Sequence, residues 1–245
     1  MSRTFLRIIY FPYKWLLLLP VMVINTIIFG LIAVVVSSFV NQRVGSYYGG
    51  VVWSRFNAMI TPMFVSVKGK ENIKEGVSYI VVPNHQSLYD IFLIYGWLGL
   101  DIKWIMKKEL EKIPGLGFGS KKVGHIFIDR SNQIAAMRSL EEAKKKLVDG
   151  TCVVIFPEGT RSAAGKLRPF KRGAFKMAID LGLPILPVTI NGTKNILPGK
   201  AAVDILPGKA TLTIHKPVEL AGYSAESMPQ LMLNVRDIIE SALAK

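Results

Sequence analysis

Between Lys14 and Arg43 the chain carries no charged residue, and Leu16, Leu17, Leu18 and Leu19 stand near the start of that run. A helix through residues 15–42 would be about 42 Å long at 1.5 Å per residue, against a bilayer hydrocarbon core of about 30 Å. Pro20, Asn25 and Thr26 interrupt the run and Gly30 adds a weak point. The following segment, 44–67, mixes Tyr47, Tyr48, Trp53 and Phe56 with Arg55 and Asn57, the composition of a headgroup-level interface. Two ordinary core helices would bury an unusually apolar segment. Basic residues flank the run on both sides, so the positive-inside rule does not favour a simple span. The expected placement is therefore a two-helix unit dipping into one leaflet, with a single span as the competing arrangement. A cleaved signal peptide fits poorly, because the apolar region is long and no Ala-x-Ala site follows it.

A length of 245 residues suits one domain, or one domain with an appendage. Residues 1–67 hold Arg3, Arg7, Lys14, Arg43 and Arg55 and no acid, within a chain of net charge +14. That balance suits an anionic membrane surface or phosphorylated substrates. Nucleic acid is excluded as a partner: zinc-finger spacing, RNA motifs and basic-aromatic stripes are all missing. The one cysteine, Cys152, lies in an apolar run, reads as a buried strand residue, and fits a reducing compartment.

From Lys68 onward, strand and helix patterns alternate as in α/β folds. Strands are predicted at 65–67, 78–82, 102–106, 126–128, 152–156 and 185–190. Helices are predicted at 87–98, 132–148, 174–181 and 226–244, with an irregular helical stretch opening at 107–110. Residues 202–206 and 210–215 read as a late hairpin. The expected fold is α/β, a single mixed or mostly parallel sheet flanked by helices. Residues 1–67 form the membrane-embedded two-helix unit and 68–245 the α/β domain.

The chemistry concentrates in Asn84-His85-Gln86-Ser87-Leu88-Tyr89-Asp90, between an apolar strand and a helix start. His85 and Asp90 would point apart on one continuous helix. They meet only if His85 sits on a turn and Asp90 leans back from the first helical turn. A carboxylate there would fix the imidazole tautomer and leave the other nitrogen as a base. No serine or cysteine is placed as their nucleophile, so the substrate would supply the attacking hydroxyl. The plainer alternative is that Ser87 and Asp90 form a capping box and nothing more.

Further polar clusters also follow strand-like runs, where ligands of α/β sheets tend to sit. Arg130 ends the run 126–128, while His125 at its other end reads as structural. Phe156-Pro157-Glu158-Gly159-Thr160-Arg161 offers a carboxylate, a glycine for close backbone approach and an arginine suited to bidentate phosphate binding. Arg168, Lys171 and Arg172 read as a solvated basic loop. Lys107 and Lys108 are phosphate candidates, and Pro187 lies in an apolar strand.

These four ordered blocks, 84–90, 124–130, 156–161 and 183–188, resemble the glycerolipid acyltransferases, and most closely the bacterial 1-acylglycerol-3-phosphate (lysophosphatidic acid) acyltransferases. The resemblance implies that His85 is the general base and Asp90 its orienting carboxylate. It further implies that Lys107, Arg130, Glu158, Gly159, Thr160 and Arg161 bind the glycerol phosphate, and that Pro187 belongs to an acyl-donor or structural wall. Lysophosphatidate would accept an acyl group from acyl-CoA or acyl-carrier protein at the cytoplasmic face of the inner membrane, with no metal and no cofactor. Competing functions are acylation of glycerol 3-phosphate or another lysophospholipid, a metal-dependent hydrolase using His85 and Asp90 as ligands, and a non-enzymatic anionic-lipid binder.

Overall fold

The structure, a computed structural model, describes residues 3–113, 115–129, 141, 143–162, 167–198 and 203–244. Helix α1 runs Arg3–Phe39 without a break. The expected interruption at Pro20 is absorbed by wider, π-type turns at Lys14–Leu18, where Leu19 N–H bonds the Lys14 carbonyl five residues back. The chain then doubles back through α2 (Gln42–Ser46), a second π-type stretch (Tyr47–Val52) and α3 (Trp53–Ile60). Asn41 caps the return, its Oδ1 accepting Val44 N–H at 2.8 Å.

Small residues set the closeness of this helical hairpin. A Cβ on Gly45 would lie 1.9 Å from Ser37 Oγ, and one on Gly49 2.6 Å from Ala33 Cβ. Two polar residues of the apolar run find a place in this hairpin: Asn25 is buried, and Thr26, itself exposed, accepts the Trp53 indole N–H on Oγ1 at 3.0 Å. Ile24, Ile27, Leu31, Val35 and Phe39 stay exposed on the outer face. Only 11% of the most apolar window of α1, mean hydropathy 2.6, is buried, so α1 is not the core helix of a globule.

Strands β1 (Met63–Lys68), β2 (Ile80–Pro83), β3 (Asp101–Lys107), β4 (Ile126–Ile128), β5 (Thr151–Val154), β6 (Ile185–Asn191) and β7 (Gly208–Ile214) form one sheet in the order β1-β7-β6-β2-β5-β3-β4. All neighbouring pairs are parallel except β6 with β7. The expected single mixed sheet is thus present. Strand β1 crosses the division drawn after residue 67, since Met63 already pairs with Gly208. The expected late hairpin does not form: residues 203–207 are not strand, and β7 pairs with β6 and β1. Local alternation revealed a strand there, and its partners lay far away in sequence. The predicted helix 132–148 falls largely outside the described residues.

Successive residues of β2 face opposite sides, as the two-residue period of a strand requires. Val81 joins a core with Leu18 of α1, Ala58 of α3 and Leu93 of α4 (Tyr89–Trp97). Ile80 and Val82 join the other core, with Phe175 of α6 (Gly173–Leu181) and Leu231 and Val235 of α8 (Met228–Ser241). Between these helices lie α5 (Leu116–Lys122) and the single turn α7 (Thr193–Ile196). Both faces of the sheet are covered, so its central strands are continuously apolar. Each parallel strand from β2 to β6 delivers its following loop to the same edge.

Gly192, between β6 and α7, has φ +87°, and a Cβ there would lie 2.2 Å from the Lys209 carbonyl oxygen. Gly222 has φ +86° in open space. Gly222→Ala should cost backbone strain alone, about 1–2 kcal/mol. Gly192→Ala should cost more, because it adds a steric overlap. Urea unfolding curves compare the two, and equal losses would contradict the close approach of β6 and β7 at this turn.

Candidate active site

Strand β2 ends at Pro83, and the next residue extends its ladder with a side chain. The Asn84 amide accepts Ile190 N–H at 2.6 Å and donates to the Ile190 carbonyl at 3.0 Å. The chain then turns into α4. Ser87 Oγ accepts Tyr89 N–H at 3.1 Å, and Asp90 Oδ2 accepts the N–H groups of Ser87 at 2.9 Å and Gln86 at 2.6 Å. This is a capping box, so the plainer reading of the motif is realised. The contact that the catalytic reading requires is made by the same oxygen: Asp90 Oδ2 lies 2.7 Å from His85 Nδ1.

The Asp90 side chain is fully buried, while that of His85 is 14% exposed. An ionised carboxylate only accepts hydrogen bonds, so Nδ1 carries the proton and Nε2 presents its lone pair. The imidazole stacks on Phe156, ring centroids 3.8 Å apart, and Phe156 stacks in turn on Trp104. The Phe156–Arg161 block also grips the His85 main chain. His85 N–H donates to Glu158 Oε1 at 2.8 Å, and the His85 carbonyl accepts Ser162 N–H at 2.8 Å. The imidazole is therefore held by a ring against one face, and its residue is tied at both the main-chain N–H and the carbonyl.

Glu158 is buried, and its second oxygen accepts Arg168 N–H at 2.9 Å. Burial raises its pKa above the ordinary carboxylate range, against the opposing effect of those two main-chain donors and of the nearby imidazole. Its position is that of a clamp between the His85 turn and the 168–172 loop. Gly159 has φ +70°, and the Lys171 side chain crosses where its Cβ would be. Thr160 is exposed on the same turn. Arg161 is partly buried, and its Nη1 has no hydrogen-bond partner among the described residues; the same holds for Gln86 Oε1. Both atoms are buried on loops that flank the His85 turn.

Lys107, at the end of β3, is exposed, whereas Lys108 pairs with Glu111. This separates two lysines that spacing alone left equivalent. Arg130 lies outside the described residues. Pro187 is buried inside β6 opposite Val82, and its carbonyl accepts His215 N–H at 3.1 Å. His125 reads as structural: it bonds Tyr95 Oη at 3.2 Å, and burial, reinforced by Lys103 and Lys146, pushes its pKa down to about 3. Burial pushes the Cys152 thiol up to about 12, which leaves it inert. Among the described residues no three His, Cys, Asp or Glu side chains are grouped to hold a metal.

The sequence reading missed Thr193, which donates its hydroxyl to Asp90 Oδ1, and gave two residues a narrower part: Lys171, read as solvated loop, lies across Gly159, and Ser87, read as a cap, also donates to the Leu197 carbonyl at 2.7 Å. Only Ser87 sat in a motif; the other two reach the site from chain segments with no local signature.

Comparison with known proteins agrees with this geometry. The acyltransferase family model matches residues 64–191. The chain is 31% identical to a Chlamydomonas reinhardtii 1-acyl-sn-glycerol-3-phosphate acyltransferase over 85% of its length, and spans 62% of that protein. It is 30% identical to the Haemophilus influenzae protein of the same name, over 80% of this chain and 82% of that one. The crystal structure of the Thermotoga maritima 1-acyl-sn-glycerophosphate acyltransferase PlsC superposes with a TM-score of 0.78 at 31% identity, covering 99% of this chain and 96% of that one. The matched segment runs from β1 to the end of β6 and contains the His85–Asp90 pair and the Glu158 clamp, and on these grounds the chain belongs to the acyltransferase family.

Proposed function

We propose that this protein transfers a fatty acyl group from an acyl thioester to the sn-2 hydroxyl of lysophosphatidate, forming phosphatidate for phospholipid synthesis. The observation that carries this reading is the oriented imidazole, with no bond to Nε2 and no nucleophile bonded to it among the described residues. The hydroxyls of Ser87 and Ser162, on the flanking loops, donate to main-chain carbonyls. The attacking hydroxyl then belongs to the substrate. The relatives named above, described as acting on the same acceptor, support the choice of lysophosphatidate.

His85 Nε2 takes the proton of the acceptor hydroxyl as its oxygen bonds the thioester carbonyl carbon. Asp90 stabilises the imidazolium that forms. The tetrahedral oxyanion collapses, the C–S bond breaks, and the leaving thiolate recovers the proton from Nε2. Positioned general-base catalysis of this kind is worth about 10²–10⁴ in rate. No step calls for a metal or a cofactor. Arg161, with its unpartnered Nη1, is the strongest candidate for the acceptor phosphate, with Lys107 and Lys171 adding positive charge at the same edge and Arg130 assigned there by motif alone. Glycerol 3-phosphate carries the same phosphate and a free hydroxyl, so it is the competing acceptor. Acyl-CoA and acyl-carrier protein present the same thioester, and either serves the mechanism as donor.

The helical hairpin supplies access to a lipid acceptor. Its outer face is apolar and exposed, and its flanks are basic without an acid. We place it in the cytoplasmic leaflet of the inner membrane, parallel to the surface, with the sheet domain outside the hydrocarbon.

Three outcomes follow. Purified wild type in lipid vesicles should consume thioester only when lysophosphatidate is present, and His85→Ala should lose at least about 10²-fold in kcat; acceptor-independent consumption would make the protein a thioesterase. Arg161→Ala should raise the lysophosphatidate KM about 10- to 100-fold, the loss of a charged hydrogen bond, with partial recovery in Arg161→Lys. An unchanged KM would remove Arg161 from the phosphate site. Replacing Ile24, Ile27, Leu31 and Val35 together with serine should abolish co-flotation with vesicles while preserving turnover of a water-soluble short-chain acceptor; retained flotation would contradict the leaflet placement.

A further inference from the structure

We infer that Thr193 is a positioning residue for catalysis, holding the Asp90 carboxylate in the one orientation that serves His85. The two carboxylate oxygens are used differently. Oδ2 receives His85 Nδ1, Gln86 N–H and Ser87 N–H, while Oδ1 receives the Thr193 hydroxyl and no other donor among the described residues. Both side chains are fully buried, so water does not substitute for the hydroxyl. A carboxylate with donors at both oxygens is fixed about its last torsion. With Oδ1 unbonded, only the three donors on Oδ2 would resist that rotation, and the line from Oδ2 to Nδ1 would loosen.

Thr193 is itself held firmly. It opens α7, where Leu197 N–H bonds the Thr193 carbonyl at 3.0 Å and Asn195 N–H bonds the Gly192 carbonyl at 2.9 Å. The same turn is tied back to the catalytic loop, since Ser87 Oγ donates to the Leu197 carbonyl and Asn84 clamps Ile190. From outside, Arg3 donates to the Asn195 carbonyl and Arg7 pairs with Asp204. Three side chains of the 84–90 block thus reach a single segment, 190–197, which forms the back wall of the pair. Thr193 lies outside all four sequence blocks and beyond the segment matched by the family model.

The hydroxyl also sets the electrostatics. Donation to Oδ1 neutralises part of the carboxylate charge and limits how strongly Asp90 favours the imidazolium. Removing it should change the environment of the proton that His85 Nδ1 shares with Asp90 Oδ2. The other ionisable groups around the pair are Glu158, which binds the His85 N–H, Arg161 on the same loop, and Tyr89 on α4. None of these changes in the variants below.

The kinetic part of the test rests on the proposed acyl transfer, and the spectroscopic part does not. Thr193→Val keeps shape and loses the donor; Thr193→Ser keeps the donor. In full-length enzyme on vesicles, Thr193→Val should lower kcat about 10- to 100-fold, the worth of one hydrogen bond to a charged group, with both KM values within about twofold. Thr193→Ser should recover most of the rate. NMR of nitrogen-15-labelled histidine should show the His85 Nδ1 proton resonance displaced in Thr193→Val and restored in Thr193→Ser. If wild type turns over no lysophosphatidate while that resonance still shifts and recovers, the positioning role stands and the assigned reaction falls. If Thr193→Val does not fold, Thr193→Ala against Thr193→Ser decides by the same readouts. An unshifted His85 Nδ1 proton resonance with wild-type kcat, or equal defects with and without the hydroxyl, would overturn the proposal.

Discussion

The structure depends on one buried carboxylate. Asp90 is fully enclosed, and an ionised group in that position is tolerable only if donors replace the water it has lost. Its donors come from three places: the imidazole on the turn, the main chain that starts α4, and a hydroxyl delivered by the loop after β6. Each donor is also a structural tie. The bonds that satisfy Asp90 start the helix, orient the base and fasten β2 to β6, so folding of this edge and assembly of the catalytic pair are one event.

The rest of the architecture can be understood as the support of that arrangement. A parallel sheet covered on both faces sends its loops to one edge, and from that edge come His85, Lys107, the Glu158–Arg161 turn and Thr193. Phe156 and Trp104 give the imidazole a flat apolar wall, and Glu158 locks its peptide from below. The helical hairpin is not an independent appendage. Leu18 reaches the domain core, and the Tyr13 hydroxyl donates to the Ile60 carbonyl at 2.7 Å. Its apolar outer face and the catalytic edge therefore have a fixed relation, which a lipid acceptor requires.

Much of this was legible in the sequence because it is local. The strand-turn-helix around Asn84–Asp90 announces itself by an apolar run, a proline and a capping box, and the expected contact of Asp90 with His85 and its capping contacts are made by one oxygen. The polar residues Asn25 and Thr26, which looked like breaks in an apolar helix, are accommodated within it, Asn25 buried and Thr26 bonded to Trp53. What was not legible is what depends on distant partners. A strand at 208–214 was visible, but its pairing with β6 and β1 was not, and a hairpin was expected in its place. Thr193 and Lys171 carry no motif, because their roles come from contacts across the sheet edge. Lys107 and Lys108 became distinguishable only when Glu111 was seen to pair with the second.

The central claim is that the substrate hydroxyl attacks the thioester directly, with His85 as base and no acyl-enzyme. Rapid-quench measurement of thiol release from enzyme mixed with acyl thioester alone tests it most directly, with intact-mass analysis of the quenched protein. The account predicts no burst and no added acyl mass until lysophosphatidate is supplied. A burst equal to the enzyme concentration, with one acyl group on the protein, would contradict it.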